Sequence, residues 1–140
     1  MPSGIAPVVF TNPAGSVLAN PGGYAEIHYS AGQPNIPDLQ ALLTALGQLL
    51  LQRGWHKVLL DGRQLQPLPE ALKRWTQANW ITPVIARPAN LELATILPTD
   101  VFSRLGVQEL QLGVANGNHN RNFSDTEAAH KYLSTLPGQL

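Results

Sequence analysis

A chain of 140 residues is the size of one domain and can bury roughly two-thirds of its unfolded surface, enough for a core without staples. Nine Lys and Arg balance nine Asp and Glu, so the formal net charge is zero; nucleic-acid and anionic-membrane surfaces need a basic excess, and neither partner is expected. Cysteine is absent, which excludes disulfides, thiolate metal sites and cysteine nucleophiles.

The opening Met1-Pro2-Ser3-Gly4-Ile5-Ala6-Pro7 has no basic and apolar pair of regions of the secretory kind. The apolar stretches fall far below the ~18 residues of a membrane span. The expectation is a single cytoplasmic domain over residues 1–140, with its core over about 5–136 and no integral membrane association.

Val8-Val9-Phe10 is short and β-branched, Asn12-Pro13-Ala14-Gly15 turns the chain, and Ser16 to Ala19 is a second extended piece. Asn20-Pro21-Gly22-Gly23 is another turn. Tyr24 to Ser30 interleaves small and apolar residues with Glu26 and His28, which predicts a strand with one wetter face. The first thirty residues therefore read as a β-meander.

After Pro37, Leu39, Leu42, Leu43, Leu46, Leu49 and Leu50 recur at helical spacing, and Arg53-Gly54 supplies a last-turn cation and a left-handed stop. His56 to Leu60, ending in Asp61-Gly62, reads as a central buried strand. Pro67 and Pro69 open a second helix with Glu70 in its first turn; Leu68, Leu72 and Trp75 form its stripe, Trp80, Val84 and Ile85 continue it, and Pro83 is expected to kink or end the helix. Leu91 to Leu97 is a second central strand, halted by Pro98. Thr99 or Asp100 caps a third helix whose apolar positions include Val101, Phe102 and Leu105. Arg121-Asn122-Phe123 reads as a short edge strand. Ser124 to Glu127 forms a capping box for a last helix that turns Ala128, Tyr132, Leu133 and Leu136 to the core. Alternation of strand and helix over the last two-thirds predicts an α/β domain: a mixed, mostly parallel sheet of about five strands with helices on its faces.

Three segments carry a resemblance: Lys57-Val58-Leu59-Leu60-Asp61 after the leucine-rich helix, Leu93 to Pro98 followed by Val101-Phe102-Ser103-Arg104-Leu105, and Asn122 to Ala129 with Tyr132-Leu133. Together they resemble the SpoIIAA-like group of the STAS/SEC14 domains. The resemblance implies a small α/β domain with an opening β-meander. It implies a regulatory or binding module without enzymatic activity, which takes a protein partner or a small or lipid-like ligand. In anti-sigma-factor antagonists of this kind, a serine or threonine just after the central strand's aspartate is phosphorylated. Here Gly62 and Arg63 follow Asp61, and neither carries a hydroxyl. The chain is also too short for a complete SEC14 lipid cavity.

Asp61 and Asp100 fall at or just past the predicted carboxyl ends of two parallel strands, the edge where open α/β sheets bind ligands. With Arg63 as an anion clamp and Thr99 beside Asp100, these four are the candidate ligand-binding residues. The plainer reading makes Asp61 a turn residue and Asp100 a helix cap. A second functional reading is a small enzyme with Asp61 or Asp100 as general base. A third is a homodimer assembled through the second helix, with Trp80, Ile81 and Val84 as the candidate interface. No catalytic residue is assigned. His28, His56, His119 and His130 have no metal-ligand spacing, and no phosphate-binding glycine loop or nucleophile elbow occurs, so neither a metal nor any other cofactor is expected.

Overall fold

The computed structural model describes residues 6–31, 35–65, 69–81, 88, 91–112 and 119–135. Among the described residues, six strands form one mixed sheet in chain order: β1 (Val8–Asn12), β2 (Gly15–Asn20), β3 (Tyr24–Tyr29), β4 (Lys57–Asp61), β5 (Glu92–Ile96) and β6 (His119–Phe123). β1, β2 and β3 pair antiparallel, and β3 through β6 are parallel. The expected count is about five; the edge strand read at Arg121–Phe123 is present as β6 and begins two residues earlier, at His119. The described residues also form four α-helices, α1 (Ile36–Arg53), α2 (Glu70–Thr76), α3 (Val101–Leu112) and α4 (Thr126–Thr135), with a π-helical turn at Gln77–Ile81 directly after α2.

Side chains alternate across a strand, and here the alternation sorts two cores. Val17, Ala19, Ala25, Ile27 and Val58 face α1, whose Leu39, Leu42, Leu43, Leu46, Leu49 and Leu50 are all buried; Leu72 of α2 joins them, with Trp75 half-buried at the edge. Leu59, Ala94 and Ile96 face the opposite way, onto Ala129 and Leu133 of α4. α1 packs over β1, β2 and β3, α3 meets α2, and α4 lies over β4, β5 and β6.

Local chemistry sets the helix ends. The Asn35 side chain accepts from the Asp38 N–H at 2.8 Å, with Pro37 in the first turn of α1. Gly54 stops α1 at φ 65°, where the left-handed backbone returns the Trp55 N–H to the Leu50 carbonyl at 3.0 Å. Pro69 immediately precedes α2. Asp125, one residue later than expected, caps α4 by accepting from the Ala128 N–H at 3.0 Å. On α4, Ala129 and Leu133, four residues apart, form the buried face, whereas Ala128, one residue off it, is only half-buried. α3 also departs from expectation. Ser103 and Val107, four apart on one face, turn inward, and Val101, Phe102 and Leu105 are exposed.

Candidate functional site

The parallel register of β3 and β4 sets His28 directly beside Asp61 and Glu26 beside Leu59. Glu26 and His28 are two residues apart on one strand, so both share a sheet face with Asp61. The result is a continuous polar row. Asn20 Nδ2 donates to Glu26 Oε2 at 2.7 Å. His28 Nε2 donates to Glu26 Oε1 at 2.7 Å, and His28 Nδ1 lies 3.4 Å from Asp61 Oδ2. Arg63 closes the row with Nη2 donating to Asp61 Oδ2 at 2.6 Å, Nε to Oδ1 at 3.0 Å, and its backbone N–H to Oδ1 at 3.1 Å.

Exposure is graded along the row. The side chains of Glu26 and Asp61 are each 7% exposed, that of His28 is 37% and that of Arg63 51% exposed. Isolated buried carboxylates are costly, and each of these is balanced. Burial pushes the Glu26 carboxyl up, but hydrogen bonds from His28 and Asn20 and the nearby charges of His28 and His130 outweigh it and hold it below the usual range. Burial acts on Asp61 in the same way and is outweighed by the Arg63 side chain and backbone and by the His28 charge, so it too is lowered. Hydrogen bonding and ion pairing to Asp61 in turn raise the Arg63 guanidinium. Among the described residues, no buried side-chain nitrogen or oxygen lacks a partner.

Two further polar contacts tie this face to α4. The Tyr24 hydroxyl shares a hydrogen bond with His130 Nδ1, so His130 is engaged with the sheet rather than simply solvated. Burial, reinforced by the Glu26 charge, pushes the Tyr24 phenol up to about 12 against a weaker opposing bond from Ser134. Lys57, itself buried, donates from Nζ to the Leu133 carbonyl at 3.0 Å and so satisfies the last turn of α4.

Of the four candidate ligand residues, Asp61 and Arg63 meet in a bidentate pair. Asp100 and Thr99 serve α3 instead. Asp100 Oδ2 accepts from the Ser103 N–H at 2.8 Å and from Ser103 Oγ at 3.0 Å, which lowers its carboxyl. The Thr99 carbonyl accepts from Arg104 Nη2 at 3.3 Å. Among the described residues, no hydrogen bond or ion pair joins Thr99 or Asp100 to Asp61 or Arg63. Of the candidate interface, the backbone of Trp80 and Ile81 lies in the π-helical turn; their side chains, and Val84 entirely, lie outside the described residues. Ile85 and Leu136 lie outside them as well.

Glu26 and His28 are the site residues that sequence reading alone did not single out. Their period-two spacing marks a common face, but only strand pairing places that face beside Asp61. Among the described residues, no group of three or more His, Asp or Glu is arranged to hold a metal ion, and no helix is long and apolar enough to cross a membrane.

Chemically, the row presents an oriented guanidinium. Asp61 occupies Nε and Nη2 of Arg63, which leaves Nη1 on a half-exposed side chain for an acceptor or anionic group. Carboxyls held low are weak bases at neutral pH. Comparison with protein-family models, with curated proteins and with solved structures finds no match.

Proposed function

We propose that this chain is a non-enzymatic binding module of the STAS/SEC14-like kind, which takes a protein partner or a small or lipid-like ligand at the carboxyl edge of its parallel strands. Arg63 is the contact residue, and Asp61 aims it. One observation carries the reading: two buried carboxylates, linked by the partly exposed His28, hold a half-exposed arginine at that edge. A chain with only 13% charged residues places four ionisable groups in contact there. The lowered carboxyl of Asp61 supports binding over its use as a general base.

Native mass spectrometry of the protein purified without added ligand tests the small-ligand form. A discrete added mass that disappears in Arg63→Ala, with the circular dichroism spectrum unchanged, is the expected result. If the apo mass is clean, capture of a protein partner that Arg63→Ala abolishes is expected instead. Binding of either kind that survives both Arg63→Ala and Asp61→Ala overturns the assignment of this edge.

A further inference from the structure

His28 stands between two anions. Its Nε2 lies 2.7 Å from Glu26 Oε1 and its Nδ1 3.4 Å from Asp61 Oδ2, and the side chain is 37% exposed, open to proton exchange with solvent. A neutral imidazole carries one N–H and donates to one carboxylate; its other nitrogen then turns a lone pair toward the second. An imidazolium carries two N–H groups and serves both. Despite burial, both carboxyls are held below their usual range, so they stay ionised throughout the interval, about pH 5 to 8, in which histidine as a residue type changes charge.

The groups around His28 leave that charge change largely to the ring. On β2, Ser16 is its register partner, uncharged and 2.9 Å from the Thr11 hydroxyl. On β3, burial pushes the Tyr24 phenol up to about 12, so it stays neutral. On β4, Asp61 faces the ring, and Lys57 lies at the far end of the strand on the Leu133 carbonyl. From α4, His130 bonds Tyr24 and its charge bears on Glu26. That bond survives in either charge state, with His130 Nδ1 as acceptor from the hydroxyl or as donor to it. With His28 neutral, Glu26, Asp61 and Arg63 leave one negative charge in excess; with His28 protonated, the row is neutral.

We propose that His28 is a proton-operated switch for the Arg63 edge: protonated, it bridges Glu26 and Asp61, cancels the excess charge and lets Arg63 take an oxyanion; deprotonated, it gives up one carboxylate and leaves an edge that repels the same group. The inference rests on the reading of Arg63 as the contact residue.

Inorganic sulfate is the probe, because it keeps its double charge from pH 5 to pH 8. Binding is read from the Arg63 backbone amide in nitrogen–proton NMR spectra, at ionic strength held constant with chloride. Sulfate should bind about tenfold more tightly at pH 5 than at pH 8, the effect of one nearby charge at a partly solvated site. Coupling is reciprocal, so His28 should hold its ring proton to higher pH in sulfate than in chloride, which ring-nitrogen spectra of the wild-type protein read without any substitution. His28→Gln, which keeps a hydrogen-bond donor and never carries charge, should lose the gain at pH 5, and His130→Gln should keep it. Equal binding at both pH values that Arg63→Ala abolishes overturns the switch and leaves the binding edge standing. A gain that survives His28→Gln, or a His28 ring that ignores sulfate, overturns the switch too. So does an Arg63 amide that ignores sulfate at both pH values, while the mass and capture measurements decide the binding edge separately.

Discussion

Asp61 accepts from Arg63 through both carboxylate oxygens and faces His28 as well, so its removal strands an arginine and leaves one side of the histidine without its anion. Breaking a buried pair from one side typically costs about 3 kcal/mol. Arg63→Ala leaves the buried Asp61 carboxylate with only His28 and should lower the stability measured by urea unfolding at pH 7 by about that amount, while Asp61→Asn strands only a half-exposed arginine and should cost about 1 kcal/mol. The sign of the pH dependence follows from the same contacts. The Asp61 and Glu26 carboxyls are held below their ordinary 3.8 and 4.5, so the stability they contribute is complete above those values and is lost as pH falls through the depressed folded ones. Wild-type stability should therefore fall below about pH 4.5, and that acid limb should be shallower in Asp61→Asn and shallower still with Glu26→Gln added. An acid limb of equal slope in all three proteins would show that the row is not what holds these carboxyls ionised.

Each element reflects a contest between local signal and context. α1 was legible throughout: its leucine spacing, Pro37 near the start and Gly54 at the stop all lie within the helix's own sequence. Gly54 gives the cleanest test at this scale. Its φ of 65° disfavours any side chain, yet an added Cβ would meet nothing within 4 Å, so the cost of Gly54→Ala is backbone strain alone. A loss of about 1 kcal/mol in thermal or urea unfolding is expected. Gly15 differs. There a Cβ would lie 2.2 Å from the His28 carbonyl oxygen, at the end of the β2–β3 ladder, so Gly15→Ala should be far more damaging than Gly54→Ala. α3 and α4 were less legible. Both have several polar residues able to cap, and choosing Asp125 over Ser124, or turning Val101 and Phe102 outward, depends on how each helix meets the rest of the protein.

Across the whole molecule, β4 couples the two faces: Val58 belongs to the α1 core and its neighbour Leu59 to the α4 core. Disturbing one core should thus be felt in the other. Leu133 is fully buried beneath α4, and Leu133→Ala should cost about 2–5 kcal/mol. Trp55 and Trp75 pack against the opposite core, so their fluorescence samples a region that Leu133 does not touch. The unfolding midpoint of Leu133→Ala should shift equally by tryptophan fluorescence and by far-ultraviolet circular dichroism. Two separated transitions would mean that the faces unfold independently.

The order of strands and helices, the leucine face of α1 and the aspartates at the ends of β4 and β5 were determined by the sequence itself, because periodicity, turn residues and caps act within a few positions along the chain. Even the neighbourhood of Asp61 and Arg63 was local, since a two-residue separation across a strand end suffices for the ion pair. Only the tertiary structure decided that β3 lies parallel to β4 in the register that sets His28 against Asp61, that Glu26 is buried behind them, that Asp100 serves α3 rather than the ligand edge, and that β1 is left as an uncharged, half-covered edge. Those outcomes depend on contacts between residues tens of positions apart. A one-residue shift between β3 and β4 would put Glu26 and His28 on the face opposite Asp61 and turn one strand's apolar set away from its core; each strand's alternation marks its two faces, but only the pairing of the two brings those side chains together.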